Sequence, residues 1–302
     1  MEPPPLNLEA VPADHRSGYV TLVGKPNAGK STLLNALLGR KLSIVTPKAQ
    51  TTRHRILGIY SDAALQIIFL DTPGIIEPRY KLQEIMMHTV AGAVADADLL
   101  VFLADAQQDR PDTLSLKHIG PRPAILAINK IDLIRQEEAL PLVAQYTALR
   151  TFEEVIPISA LIGYQLDVLM HAIQQRLPLG PPFYPKDVIS EYPERFFIAE
   201  IIREKVFEQY RQEVPYSTAV NVINYEANPE GKDLIDAEIV VERDSQKGIL
   251  IGKGGQALKQ VGTVARKDIE AFLGKPVFLK LFVKVRSDWR NRDVLLRSYG
   301  YE

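Results

Sequence analysis

The 302 residues exceed one ordinary core, so two domains are expected, and 46% apolar with 24% charged residues is a globular composition. The absence of cysteine excludes disulfides and thiolate metal sites, and no apolar run approaches the roughly 20 residues of a membrane span. A net charge of −1 argues against a general nucleic-acid binder, but the charge is unevenly placed: residues 188–242 hold 5 Lys/Arg against 12 Asp/Glu, and residues 243–297 hold 13 against 5.

The start, "MEPPPLNLEAVPADHRS", has no apolar h-region, so a secretory signal is not expected and residues 1–16 read as a flexible arm. From there apolar runs alternate with helical stretches. "YVTLVG" (19–24), "LQIIFLD" (65–71), "LLVFLAD" (99–105), "PAILAINK" (123–130) and "VIPISA" (155–160) are continuous and rich in Val, Ile and Leu, as strands buried on both faces of a parallel sheet are. Helices are expected at 30–38, 81–95, 137–149 and 164–176, giving βαβα order and an α/β, doubly wound, mostly parallel sheet. "HRILGIYS" (54–61) could pair with 65–71 as an antiparallel hairpin.

"RLPLGPPFYPKD" (176–187) carries four prolines and a glycine, which neither helix nor strand survives. It reads as a linker, placed at 179–188 between a first domain at 17–178 and a second at 189–302. The second part reads as helix (194–211), strand (216–226), strand (235–243), helix–glycine turn–helix (247–273) and strand (276–286), a small α+β domain. The last strand alternates, with Val277, Leu279, Leu281, Val283 and Val285 opposite Lys280, Lys284 and Arg286.

The first glycine turn, Gly24-Lys25-Pro26-Asn27-Ala28-Gly29-Lys30-Ser31 and then Thr32, fits G-x-x-x-x-G-K-[ST] after a strand and at the start of a helix. Backbone N–H groups there wrap a phosphate, Lys30 reaches the outer phosphates, and the Ser31 hydroxyl suits Mg²⁺. Three further stretches end strands, where open α/β sheets bind ligands. In Asp71-Thr72-Pro73-Gly74, Asp71 would hold a Mg²⁺-bound water and the Gly74 N–H would meet the γ-phosphate. In "NKID", Asp132 can accept two hydrogen bonds from guanine, which adenine cannot offer, while Asn129 and Lys130 brace the loop and the base. In "ISAL", covering Ser159, Ala160 and Leu161, a backbone N–H of Ala160 suits guanine O6. This set resembles the translation-factor-like GTPases, with GTP/GDP and Mg²⁺ as the implied ligands. In "KAQTTRHR", Thr52 is the candidate to complete the Mg²⁺ shell, with Thr51 as the alternative. An ATP-dependent kinase is the rival that NKID disfavours.

Two departures carry mechanism. Where Ras-like enzymes place a water-orienting glutamine after DxxG, this chain has Ile75, so slow unaided hydrolysis is expected. Asn27 in the G-x-P-N-x-G-K-S loop resembles potassium-activated GTPases, which implies K⁺ at the phosphates.

"IGKGG" (251–255) lacks the Lys-Ser/Thr of a second phosphate loop and the βαβ context of a dinucleotide loop. Its G-x-x-G (Gly252, Lys253, Gly254, Gly255) between two helices resembles a type II KH domain, in which a single-stranded RNA backbone approaches the turn. Ile251, Lys253 and Lys259 join the candidate RNA residues. Taken with "GKPNAGKSTLLN", "KAQTTRHRI", "FLDTPG", "FIAEIIREKVF", "EVPYS", "ARKDIE" and "VKVRSDWRNRDVLLRSYGY", residues 18–302 resemble the Era family. That resemblance implies a GTPase acting in 30S ribosomal subunit assembly and maturation of the 16S rRNA 3′ end. It also implies a cytoplasmic monomer that contacts 16S rRNA near its 3′ end, the 30S particle and peripherally the inner face of the membrane. A membrane or cell-cycle signalling GTPase whose second domain docks proteins is the alternative, disfavoured by IGKGG and the basic stretch.

Overall fold

The computed structural model describes residues 11–301, so residues 1–10 of the expected arm lie outside the described residues. The chain divides into two compact units. The first comprises Met1–Ser43, Thr52–Pro78 and Met86–Glu191; the second comprises Ile44–Thr51, Arg79–Ile85 and Tyr192–Glu302.

In the first unit, β1 (Arg16–Val23), β3 (Leu65–Asp71), β4 (Leu99–Asp105), β5 (Ala124–Asn129) and β6 (Glu154–Pro157) run parallel, with β2 (Ile56–Ser61) antiparallel to β3. The strand order is β2-β3-β1-β4-β5-β6, so the chain crosses from β1 to opposite sides and leaves a topological switch point beside β1. Every residue of β3 and β5 is buried, as their unbroken apolar runs require of strands covered on both faces. The helices are α1 (Lys30–Leu38), α2 (Lys81–Asp96), α3 (Thr113–Ile119), α4 (Gln136–Leu149) and α5 (Leu166–Arg176). The short α3 was not among the expected helices; Asp112 caps it, its carboxylate accepting from the Ser115 N–H at 3.1 Å. One core face joins Val23, Phe102, Leu126 and Ile128 with Val90, Val94 and Tyr146.

The proline-rich stretch lies along this unit rather than free of it. Gln66 Oε1 accepts from the N–H groups of Phe183 (2.6 Å) and Tyr184 (2.9 Å), Ser17 Oγ donates to the Pro181 carbonyl, and Ile59 N–H donates to Ile189 O at 2.8 Å. His15, inside the expected arm, is buried and its Nδ1 lies 2.7 Å from the Gly180 carbonyl. Proline removes donors but leaves carbonyls, and Gln66 and Ser17 use the backbone groups that remain. The unit therefore closes at Glu191 rather than at 178.

The second unit follows α6 (Glu194–Gln209), β7 (Ala219–Glu226), β8 (Asp233–Val241), α7 (Asp244–Ile251), α8 (Gln256–Leu273), β9 (Val277–Val285) and a short α9 (Asp293–Ser298). In its three-stranded sheet β7 is antiparallel and β9 parallel to β8. Along β9, Val277, Leu279, Leu281, Val283 and Val285 join the core formed with α6 and α8, while Phe278, Lys280 and Phe282 are exposed.

Candidate nucleotide and RNA sites

The first glycine turn leaves β1 at the switch point and opens α1. Gly29 caps α1 with φ +99°, and Asn27 is exposed with φ +64°. Two glycines are there because a Cβ has no room: at Gly24 it would lie 2.4 Å from the Leu103 carbonyl, and at Gly29 2.2 Å from Asn129 Nδ2. Ala28 is buried, whereas Lys25, Pro26, Ser31 and Thr32 are half-buried around the turn. Lys30 is buried and its ammonium donates to the Gly24 (3.0 Å) and Lys25 (2.8 Å) carbonyls. Burial lowers its pKa from 10.5 to about 8 against the pull of Asp71. An anionic phosphate would restore the proton affinity that burial removes.

At the end of β3, Thr72 Oγ1 donates to the Leu22 carbonyl at 2.7 Å, and Ile75 N–H to Gly24 O at 3.2 Å. Gly74 packs so closely on the turn that a Cβ would lie 2.5 Å from Pro26 N, and Pro73 is buried beside it. Ile75, standing in the glutamine place, is 2% exposed within the core cluster that includes Val23, Val90 and Phe102. It can orient no water.

Ser31 Oγ donates to Asp71 Oδ2 at 2.7 Å and lies 2.8 Å from Thr52 Oγ1. Three oxygens from three segments thus meet, and Oδ1 of the fully buried Asp71 has no hydrogen-bond partner among the described residues. Burial raises the Asp71 pKa, while the Ser31 hydroxyl and Lys30 oppose it. An all-oxygen set with an orphaned carboxylate oxygen fits Mg²⁺, a hard cation that takes one carboxylate, hydroxyls, phosphates and water. The Thr51 hydroxyl is instead occupied within its own loop, 2.7 Å from Thr46 Oγ1 and donating to Lys48 O at 2.8 Å. Of the two threonines, the fold brings Thr52 to Ser31.

Asn129 joins the other loops. Its Nδ2 donates to the Ala28 carbonyl at 2.7 Å and its Oδ1 accepts from the Ala160 N–H at 2.9 Å, so one buried amide ties β5 to both the phosphate loop and the ISAL loop. Lys130, at φ +67°, pairs with Asp105 at 2.6 Å. Asp132 is exposed at the β5 end, Ser159 is buried, and Leu161 is 77% exposed.

In the second unit, Gly252 (φ +70°), Gly254 (φ +59°) and Gly255 (φ +77°) turn the chain between α7 and α8. A Cβ at Gly252 would lie 2.6 Å from the Ala257 Cβ, whereas Gly254 and Gly255 have open space. Lys253 and Lys259 are exposed and Ile251 is half-buried. Beside the turn runs a groove of about 570 Å³ lined by Gly255, Leu258, Lys259, Gly262, Thr263, Arg266, Leu279 and Leu281. Most of these lining residues were missed from sequence. The available signal was Lys259, Gly262, Thr263 and Arg266 at helical spacing on α8, facing the inward alternation of β9.

Family comparison matches residues 19–130 to a model described as 50S ribosome-binding GTPase and residues 213–290 to one described as KH domain. GTPase Era of Lacticaseibacillus paracasei is 44% identical over 293 residues, covering 96% of this chain and 98% of that protein. The maize protein GTPase ERA1, chloroplastic, is 49% identical over 296 residues, covering 96% and 71% respectively. The chain belongs to the Era family.

Solved Era structures agree. An Aquifex aeolicus Era variant bound to GDP·AlF4⁻ superposes with a TM-score of 0.91 at 44% identity, covering 95% of this chain and 99% of that one. Era in complex with MgGDPNP and nucleotides 1506–1542 of 16S ribosomal RNA also gives 0.91, at 43% identity and the same coverage. The expected fold holds: a P-loop GTPase domain on a mixed, mostly parallel sheet, followed by a KH domain. As an Era-family member the chain is a GTPase.

Proposed function

We propose that this protein is a GTP-operated RNA-binding factor that acts on the 3′ end of 16S rRNA during assembly of the small ribosomal subunit. The observation that carries this is the pairing, in one chain, of the Lys30–Ser31–Asp71–Thr52 cluster with a glycine turn opening onto a basic, apolar-floored groove. Era in complex with a 3′-terminal 16S rRNA fragment and MgGDPNP supports the choice of RNA and nucleotide. Mg²⁺ held by Ser31, Thr52 and, through water, Asp71 would supply neutralising charge at the β- and γ-phosphates. Lys30 adds a second positive charge, and the backbone N–H groups of the phosphate turn, Pro26 excepted, cradle the phosphates. Asn129 holds the base loops, leaving Asp132 to read guanine N1–H and the 2-amino group. The missing glutamine makes unaided hydrolysis slow.

The test is to crosslink the GTP-bound protein to ribosomal RNA and map the contact. Crosslinks at the 16S 3′ end from Lys253 and Lys259 are expected; crosslinks confined to other RNA would sink the assignment. We further propose a monomeric, cytoplasmic protein with peripheral membrane contact; no helix among the described residues is long and apolar enough to cross a membrane.

K⁺ is proposed as a further activator through Asn27, exposed at positive φ on the phosphate loop. Exchanging Na⁺ for K⁺ at constant ionic strength is expected to speed hydrolysis in the parent and not in Asn27→Ala. Equal parental rates in both salts remove Asn27 from the machinery.

A further inference from the structure

Helix α6 carries a load that core packing does not explain. Glu200, Arg203, Glu204 and Lys205 are all buried in its middle, where charges are costly unless paired. Lys205 is accounted for by Glu204 at 3.2 Å, Glu208 at 3.1 Å and Asp268 at 2.7 Å. Arg203, 1% exposed, takes the Glu200 carboxylate with Nε at 2.7 Å and Nη2 at 2.5 Å, and lies over the Phe207 ring at 5.3 Å. Its Nη2 also donates to the Thr51 carbonyl at 2.5 Å. Two more contacts hold the same loop. Glu204 Oε1 accepts from the Val45 N–H at 2.9 Å, and the Lys48 ammonium donates to the Phe207 and Tyr210 carbonyls that close the helix. Residues 45–51 are thus held at start, middle and end by one helix, and all of these contacts lie within the second unit.

What the loop delivers is its next residue. The Thr51 carbonyl and the Thr52 N–H belong to one planar trans peptide, so fixing the first aims the second to the opposite side and sets where the Thr52 side chain departs. That side chain places Oγ1 2.8 Å from Ser31 Oγ. Stability gives no reason for a buried ion pair here, since apolar residues of similar volume commonly serve as well. Direction does: a guanidinium locked by a carboxylate through Nε and Nη2 has the second N–H of Nη2 aimed.

We propose that Arg203, oriented by Glu200, is a positioning residue for GTP hydrolysis, holding the Thr51 carbonyl so that Thr52 stands ready to complete the Mg²⁺ shell. The proposal rests on the reading of Thr52 given above. The GTPase would then depend on a helix that precedes the 213–290 KH match and lies far from the phosphate-loop motif in sequence.

The test compares the full-length parent with Glu200→Gln/Arg203→Met, Arg203→Lys, Lys48→Met and Thr52→Ala, all without RNA. The double variant removes both buried charges together, so that neither is left buried and unpaired. In it, trypsin cleavage after Lys48 is expected to quicken about tenfold, because the loop leaves its held state more often. The half-saturating Mg²⁺ concentration for hydrolysis should rise, and GDPNP affinity should fall, each by about tenfold, with GDP affinity unchanged. Arg203→Lys, which keeps the charge but not the planar fork, should recover part of each loss, and Lys48→Met should move the Mg²⁺ and GDPNP values the same way by less. If the double variant does not melt cooperatively, Lys48→Met and Arg203→Lys decide. Folded variants with parental Mg²⁺ dependence and GDPNP affinity overturn the proposal when Thr52→Ala loses both. If Thr52→Ala also keeps both, the reading of Thr52 fails first and the proposal falls with it.

Discussion

Asp132→Asn is expected to lower GTP affinity by two to three orders of magnitude and raise xanthosine triphosphate affinity to a similar degree. The carboxylate stands exposed at the end of β5, in a loop that Asn129 ties to the phosphate turn and to Ala160. It can accept from two guanine donors at once, and charge-assisted hydrogen bonds contribute about 1.5–3 kcal/mol each. Losing most of two such bonds gives about 3–4 kcal/mol, which is the expected factor. An amide in its place presents an NH₂ group to guanine's own donors but pairs with the 2-oxo group of xanthine. Competition against a fluorescent guanine nucleotide measures both affinities. Unchanged GTP binding would falsify the base-pocket assignment.

The second large effect is in the KH unit. Changing Lys253 and Gly254 together to Asp is expected to weaken binding of a 16S 3′-terminal RNA by about 2–4 kcal/mol, the scale of giving up a few phosphate interactions. Lys253 is exposed on the turn beside the groove, so a carboxylate there repels a backbone that its ammonium attracts. At Gly254 a Cβ meets nothing within 4 Å, and Asp is among the residues that tolerate its φ of +59°. The variant should therefore fold, which circular dichroism and a thermal melt establish beforehand. The logarithmic salt slope of RNA binding should flatten by about one for each phosphate that is no longer neutralised. GTP hydrolysis without RNA should stay near the parental rate, because no residue of the phosphate cluster is touched. A folded variant that binds RNA like the parent would make the turn a packing device and move the RNA surface elsewhere on the basic stretch.

Sequence reading and structure part company where long-range contact decides. Ile75 is plain in the sequence as a missing glutamine, but its side chain's place in the core follows only from the packing of β1, α2 and β4 around it. The proline-rich stretch reads as a free linker because its composition forbids helix and strand. Gln66, more than a hundred residues away, gives its backbone a place to bond. The sequence favours Thr52 over Thr51 but leaves Thr51 as a close alternative; the turn of the loop gives the Thr51 hydroxyl to Thr46 and the Thr52 hydroxyl to Ser31. α3 and α9 are too short for their periodicity to stand out from the surrounding turns.

By itself the sequence determined what local pattern can carry. Continuous Val/Ile/Leu runs mean strands buried on both faces, G-x-x-x-x-G-K-S after such a strand means a phosphate turn, and glycines between two helices mean a chain that reverses at positive φ. Each depends on residues within about ten positions of one another, where backbone geometry leaves few alternatives. Only the tertiary structure decided that residues 44–51 and 79–85, written inside the GTPase stretch, belong with the second unit, and that Arg203 meets Thr51. A buried guanidinium has no sequence period, and its partner is whichever carbonyl the folded chain brings within reach of its donors.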